Sequence, residues 1–102
     1  MTTTSDTAYR RDAIIDGAVL SASTGGGNYV SNLVRYIPMA RRVGEDAMLA
    51  SIDRLLADGL LVSTDDADQP ITHVTATEDG WGYTISHDGV ARLVARRVSA
   101  RT

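Results

Sequence analysis

Apolar side chains fall along this chain in four helical stretches and three extended ones. Between Thr7 and Ser21, Ile14, Ile15, Ala18 and Val19 recur at i, i+1, i+4 and i+5, one helical face, with Arg10, Arg11, Asp12 and Asp16 around the other side. The glycine run in 21–27 breaks the pattern, and Asn28 is placed to cap a second helix carrying Val30, Leu33, Val34 and Ile37. Pro38 ends that helix, because the residue before a proline is pushed out of the α region. Residues 39–44 read as a connection. The third helix, 45–58, has the clearest stripe, formed by Met48, Leu49, Ile52, Leu55 and Leu56; Glu45 and Asp46 suit its positive end and Gly59 closes it. Leu60, Leu61 and Val62 then read as a short strand and 63–70 as an acidic loop. The β-branched run 71–77, a turn at 78–80 and the alternation of Trp81, Tyr83 and Ile85 predict a β-hairpin. Ser86 or Asp88 caps a final helix over about 87–100. Val90, Leu93, Val94 and Val98 form its apolar edge and Arg92, Arg96, Arg97 and Arg101 cover the rest.

A length of 102 residues sets one domain as the expectation, 7–102, behind a polar tail at 1–6. The absence of cysteine removes disulfides, thiolate metal sites and thiol nucleophiles. No apolar run approaches the ~18 to 20 residues that span a bilayer, and the first residues lack the layout of a signal peptide, so the expected location is cytoplasmic with no membrane contact. Charge is segregated along the chain. Residues 1–42 hold five Arg and three Asp, 43–88 hold one Arg against ten acids, and 89–102 hold four Arg and no acid.

The step Ile52 to Val62 (IDRLLADGLLV) and the segment Tyr83 to Leu93 (YTISHDGVARL), in the order helix, helix, helix, strand, strand, strand, helix, resemble winged helix-turn-helix domains of MarR-like and PadR-like transcription regulators. The resemblance covers residues 9–98 and implies an α+β fold: three helices, a small antiparallel sheet with one β-hairpin wing, and a C-terminal helix. It implies sequence-specific binding of double-stranded DNA, no cofactor, and a homodimer through the first helix and the C-terminal helix, where Leu93 and its neighbours offer an apolar stripe. It also implies that Gly44, Glu45, Asp46, Leu49, Ala50, Asp53 and Arg54 face the major groove.

That set is unusual for reading DNA, since base edges favour Arg, Lys, Asn or Gln and phosphates need cations, and only Arg54 qualifies. The turn Glu78, Asp79, Gly80 and Trp81 is likewise acidic where wings carry Arg or Lys. A positive patch over 28–42 offers another route: Arg35, Arg41 and Arg42 for phosphates, with Asn28, Ser31 and Asn32 beside them, and Arg54 from the third helix. Arg41 and Arg42 equally suit a solvated face paired with Glu45 and Asp46. The acidic block supports a rival reading from another class, a winged-helix interaction module that binds a basic protein partner, DNA-binding proteins included, as adaptor or inhibitor.

Catalysis and metals find no support in the spacing. The TGGGN segment, 24–28, lacks the Gly-Lys-Ser/Thr ending and preceding strand of a phosphate loop, so it reads as a linker. Ser86, His87 and Asp88 are adjacent in one turn and cannot converge as a triad. His73, His87 and the aspartates at 65, 66 and 68 miss the spacing of a calcium loop. Trp81 is placed either on the core against Tyr83 or outward as a binding anchor. The expectation is a protein that is not an enzyme and holds no metal.

Overall fold

In a computed structural model the chain is described for residues 2–85 and 88–101, with side chains for 7–85 and 88–100. The element order is α1 (Thr2–Ala22), β1 (Asn28–Tyr29), α2 (Val30–Arg35), α3 (Pro38–Val43), α4 (Glu45–Ala57), β2 (Leu61–Ser63), β3 (His73–Ala76), α5 (Glu78–Trp81) and α6 (Gly89–Arg101). The class is α+β, with six α-helices and a three-stranded antiparallel sheet among the described residues. No described helix is long and apolar enough to cross a membrane.

Helix α4 follows its sequence except at Leu49, which belongs to the predicted buried stripe and is 41% exposed. Met48, Ile52 and Leu55 face the core at i, i+4 and i+7, joined by Ser51. Its end is set by Gly59, whose φ of 75° is a left-handed conformation that glycine adopts without the penalty a Cβ would bring. There the Gly59 N–H donates to Leu56 O (3.2 Å) and the Leu60 N–H to Leu55 O (2.9 Å), so two end carbonyls are satisfied while Leu60 packs beside Leu55, both fully buried. The same turn aims the chain into β2.

The sheet order is β1-β3-β2. Asn28 and Tyr29 pair with Val74 and His73, and Leu61, Val62 and Ser63 pair with Ala76, Thr75 and Val74. Alternation places Leu61, Val74 and Ala76 on the core side and leaves Val62 exposed. These side chains meet Leu20, Leu33, Met48, Leu55 and Leu93 in one cluster.

Five sequence expectations change. Helix α1 begins at Thr2, ahead of Thr7, so its backbone takes in the expected tail. Asn28 does not cap a helix; it starts β1, a two-residue strand too short for periodicity to reveal, and its Oδ1 accepts from the Tyr29 N–H and from Asn32 Nδ2. The connection at 39–44 is helix α3, because Pro38 sits in its first turn, where the absent N–H costs nothing.

The hairpin joining 71–77 to 81–85 is absent. Thr77 instead caps α5, its Oγ1 accepting from the Gly80 N–H (3.1 Å) and donating to Gly59 O (2.9 Å). Gly80 lets this turn press on the end of α4, since a Cβ there would stand 2.2 Å from Leu60 O. The loop that projects from the sheet is therefore the β2–β3 connection, 64–72. Trp81 is 46% exposed. The final helix begins at Gly89, preceded by Asp88 at φ 59°; the Ser86 cap and His87 lie outside the described residues.

The fifth change is the orientation of α1. Asp16 is fully buried rather than turned to solvent, whereas Ile14 is 40% exposed. The helix is covered on two sides, by α4 and by α6, which runs back along it with Val90 beside Gly17 and Val98 beside Arg10. Asp16 faces both coverings. Ser51 Oγ donates to Asp16 Oδ1, Arg54 donates to both carboxylate oxygens (2.8 and 3.2 Å), and Arg97 Nη1 lies 2.6 Å from Oδ2 as a charge contact rather than an aligned hydrogen bond. Arg97 also reaches Asp58 (3.2 Å), and Arg54 lies 3.8 Å from Asp12. Removing one partner of a buried ion network leaves the others uncompensated. Replacing Asp16 with Asn keeps the shape and removes the charge, and the expected loss is about 3 kcal/mol of unfolding free energy in urea.

Candidate nucleic-acid interface

Helix α4 is held at both ends and along one face, so its other face is presented as a fixed surface. Gly44 closes α3 and opens α4 at once, with the Gly44 N–H donating to Ala40 O (2.9 Å) and the Met48 N–H donating to Gly44 O (3.2 Å). The exposed residues of α4 include Glu45, Asp46, Leu49, Ala50 and Asp53. These, with exposed Gly44, are the positions expected to face a groove, except Arg54. Arg54 turns inward to Asp16. Burial lowers its pKa, but the hydrogen bond and charge of Asp16, with Asp12 and Asp58 behind them, outweigh this and hold it above its ordinary value.

The remaining predicted site residues divide into two groups. Asn28 and Asn32 are bonded to each other, and Asn28 Nδ2 donates to Ala22 O (3.0 Å), tying the end of α1 to the start of α2. Their amides are committed to the fold. Arg35 pairs with Glu45 at 3.4 Å, with both side chains about half exposed, so this contact exchanges readily with water or a phosphate. Ser31, Arg41 and Arg42 are exposed. Neither Arg41 nor Arg42 has an ion pair or side-chain hydrogen bond among the described residues, and both lie at the end of α3, immediately before the first turn of α4. The structure thus brings Arg35, Arg41 and Arg42 to the α2–α3–α4 end of the molecule and separates Arg54 from them. No family profile, curated protein or solved structure matches the chain.

The arginines of α6 are used differently. Arg96 pairs with Asp79 (3.0 Å) and donates to Asp58 O (3.2 Å), and Arg92 and Arg96 both stand over the Tyr83 ring, 5.1 and 5.4 Å from its centroid. Their charge compensates the acidic block from within. Sequence reasoning missed this pairing and the Asp16 network. The available signal was an acid set between Ile15 and Val19, inside an apolar run.

The β2–β3 loop is built on Asp65. Its Oδ2 accepts from the Thr72 N–H (2.7 Å) and the His73 N–H (3.1 Å), and its Oδ1 accepts from Thr72 Oγ1 (3.0 Å). His73 Nδ1 meets Thr64 Oγ1 at 2.9 Å, and the His73 ring packs edge-on against Tyr29. Asp66 and Asp68 remain exposed at the loop's outer end. Among the described residues no cluster of three or more His, Asp or Glu is arranged to hold a metal.

The backbone N–H bonds from Thr72 and His73 outweigh the opposing effect of burial and, with smaller help from the Thr72 and Ser63 hydroxyls, pull the Asp65 pKa below its ordinary 3.8. A depressed carboxylate pKa stabilises the folded loop fully above the unfolded value and ceases to do so as pH falls through the folded one. The Thr72 and His73 amide resonances are therefore expected to report the Asp65 titration only below about pH 4. Below that they move together with the Asp65 titration, and in Asp65→Asn this transition is absent.

Proposed function

We propose that the chain is a winged-helix, DNA-binding transcription regulator in which α2, α3 and α4 form the helical reading unit and the 64–72 loop is the wing. The sheet order β1-β3-β2, with β1 between the first and second helices and β2 directly after α4, supports this reading. The observation that carries it is the pair of guanidiniums, Arg41 and Arg42, at the entry to α4, which have no ion pair among the described residues. Affinity comes mainly from phosphate contacts by these two residues and by Arg35 once it leaves Glu45, because each phosphate neutralised releases a counterion. Arg54 contributes position rather than contact, as it fixes α4 on α1. Fold alone does not decide function, so the charges of the site must carry the case.

The acidic face gives a second reading its support. Glu45, Asp46 and Asp53 on α4, with Asp66 and Asp68 on the loop, repel a phosphate backbone and attract a basic protein. The two readings separate in one experiment. Fluorescence anisotropy with generic duplex DNA and the chain's own upstream region is expected to show binding that weakens with salt. Arg41→Ala and Arg42→Ala are each expected to shallow the log–log slope by about one unit. No binding even at low salt overturns DNA recognition and favours the basic partner.

The homodimer proposed with this function must use a surface other than the one periodicity suggests. Leu93 is fully buried in the chain's own core, and Val90 and Val94 pack against that core. What remains outward on α1 and α6 is Ile14, Ala91, Ala95 and Val98. Val98→Asp is expected to halve the mass in light scattering with the fold intact. Leu93→Asp is expected instead to lose cooperative unfolding, since it places a charge in the core.

A further inference from the structure

A groove of about 770 Å³ runs between the C-terminal end of α1 and the α2–α3 junction. Its walls are largely hydrocarbon and include Ile37, Met39 and Ile85, with Tyr36 at 65% and Ile85 at 57% exposure. The Ile85 N–H donates to Ser21 Oγ (3.1 Å), which fixes that residue against the end of α1. Arg41 and Arg42 both line the groove, and among the described residues no acid does. Two guanidiniums without a counter-charge beside a hydrocarbon wall favour an occupant that is anionic at one end and apolar along its body.

We propose that this groove binds an amphipathic carboxylate: a hydrocarbon-chain acid whose head group engages Arg41 and Arg42 and whose tail lies along Ile37, Met39 and Ile85. Planar guanidinium forks match the two oxygens of a carboxylate. The volume lies within the roughly 300 to 1,000 Å³ typical of small-molecule sites. The apolar wall gains nothing from a phosphodiester, whose neighbours are polar sugars, and the groove offers no strand edge to a peptide backbone. This site does not rest on the nucleic-acid reading, and its test contains no DNA.

The test uses the full chain labelled with ¹⁵N and titrated with sodium octanoate and, separately, with octan-1-ol as the uncharged counterpart. Saturable amide shifts are expected at 18–22, 36–42 and 85, with octanoate binding about tenfold tighter than the alcohol, as expected for a hydrogen bond to a charged group. Arg41→Ala with Arg42→Ala removes that advantage and leaves the affinity for octan-1-ol unchanged; both positions are exposed, so the variant keeps its dispersed spectrum. Ile85→Glu, which sets a carboxylate in the apolar wall of the groove, weakens octanoate binding by a similar factor. The proposal is overturned if no shift saturates, if the shifts map elsewhere, if acid and alcohol bind equally, or if the double variant retains the preference for the acid.

Discussion

A carboxylate with no access to water has to be met by cations, and meeting Asp16 organises this fold. Its partners come from two other helices, Ser51 and Arg54 from α4 and Arg97 from α6. Apolar contacts alone would let α4 and α6 slide on α1 at small cost, because hydrophobic burial has little direction. The Asp16 contacts are directional. They fix the rotation of α1 and hence place Ile15, Val19 and Leu20 inward. They also fix the face that α4 turns outward.

The same network explains how the charge segregation of the sequence is resolved. The basic C-terminal block does not present one cationic surface. Arg97 serves Asp16 and Asp58, Arg96 serves Asp79, and Arg92 lies over Tyr83. Arg54, the single cation of the acidic block, is drawn inside as well. Two consequences meet on the surface: α4 and the 64–72 loop show mostly acids, of which Glu45 meets Arg35, and the end of α3 shows two cations with no ion pair among the described residues. That polarity gives the molecule two chemically distinct faces around one helix.

Much of the helical framework was legible in the sequence because helix stripes and stops are local. Met48, Ile52 and Leu55 at helical spacing, with Gly59 after them, define α4 and its end without any knowledge of its neighbours. The sheet was less legible. A two-residue strand at Asn28 and Tyr29 has no period, and it exists only because β3 offers it an edge. The segment 78–81 carries turn residues that suit a hairpin, and what decides for a helical turn is Thr77 as cap and the close approach of Gly80 to Leu60, both tertiary facts. For the site, the exposure of Arg35, Arg41 and Arg42 agrees with their charge and, for Arg35, with its place off the Val30, Leu33, Val34 and Ile37 stripe. The commitment of Arg54, Asn28 and Asn32 to internal bonds was invisible, since their partners Asp16 and Ala22 lie on a different element.

The packing of α6 against α1 also has a temporal side. During synthesis α1 precedes α6, so Asp16 emerges before Arg97, one of its counter-charges. Such contacts between distant segments make closure slow relative to the local formation of α4 and its turn. A nascent chain can assemble the helices and sheet around α4 and hold Asp16 through Ser51 and Arg54 before α6 arrives. The last counter-charge, Arg97, comes only with the docking of α6, which leaves the α1–α6 seam as the contact that forms last.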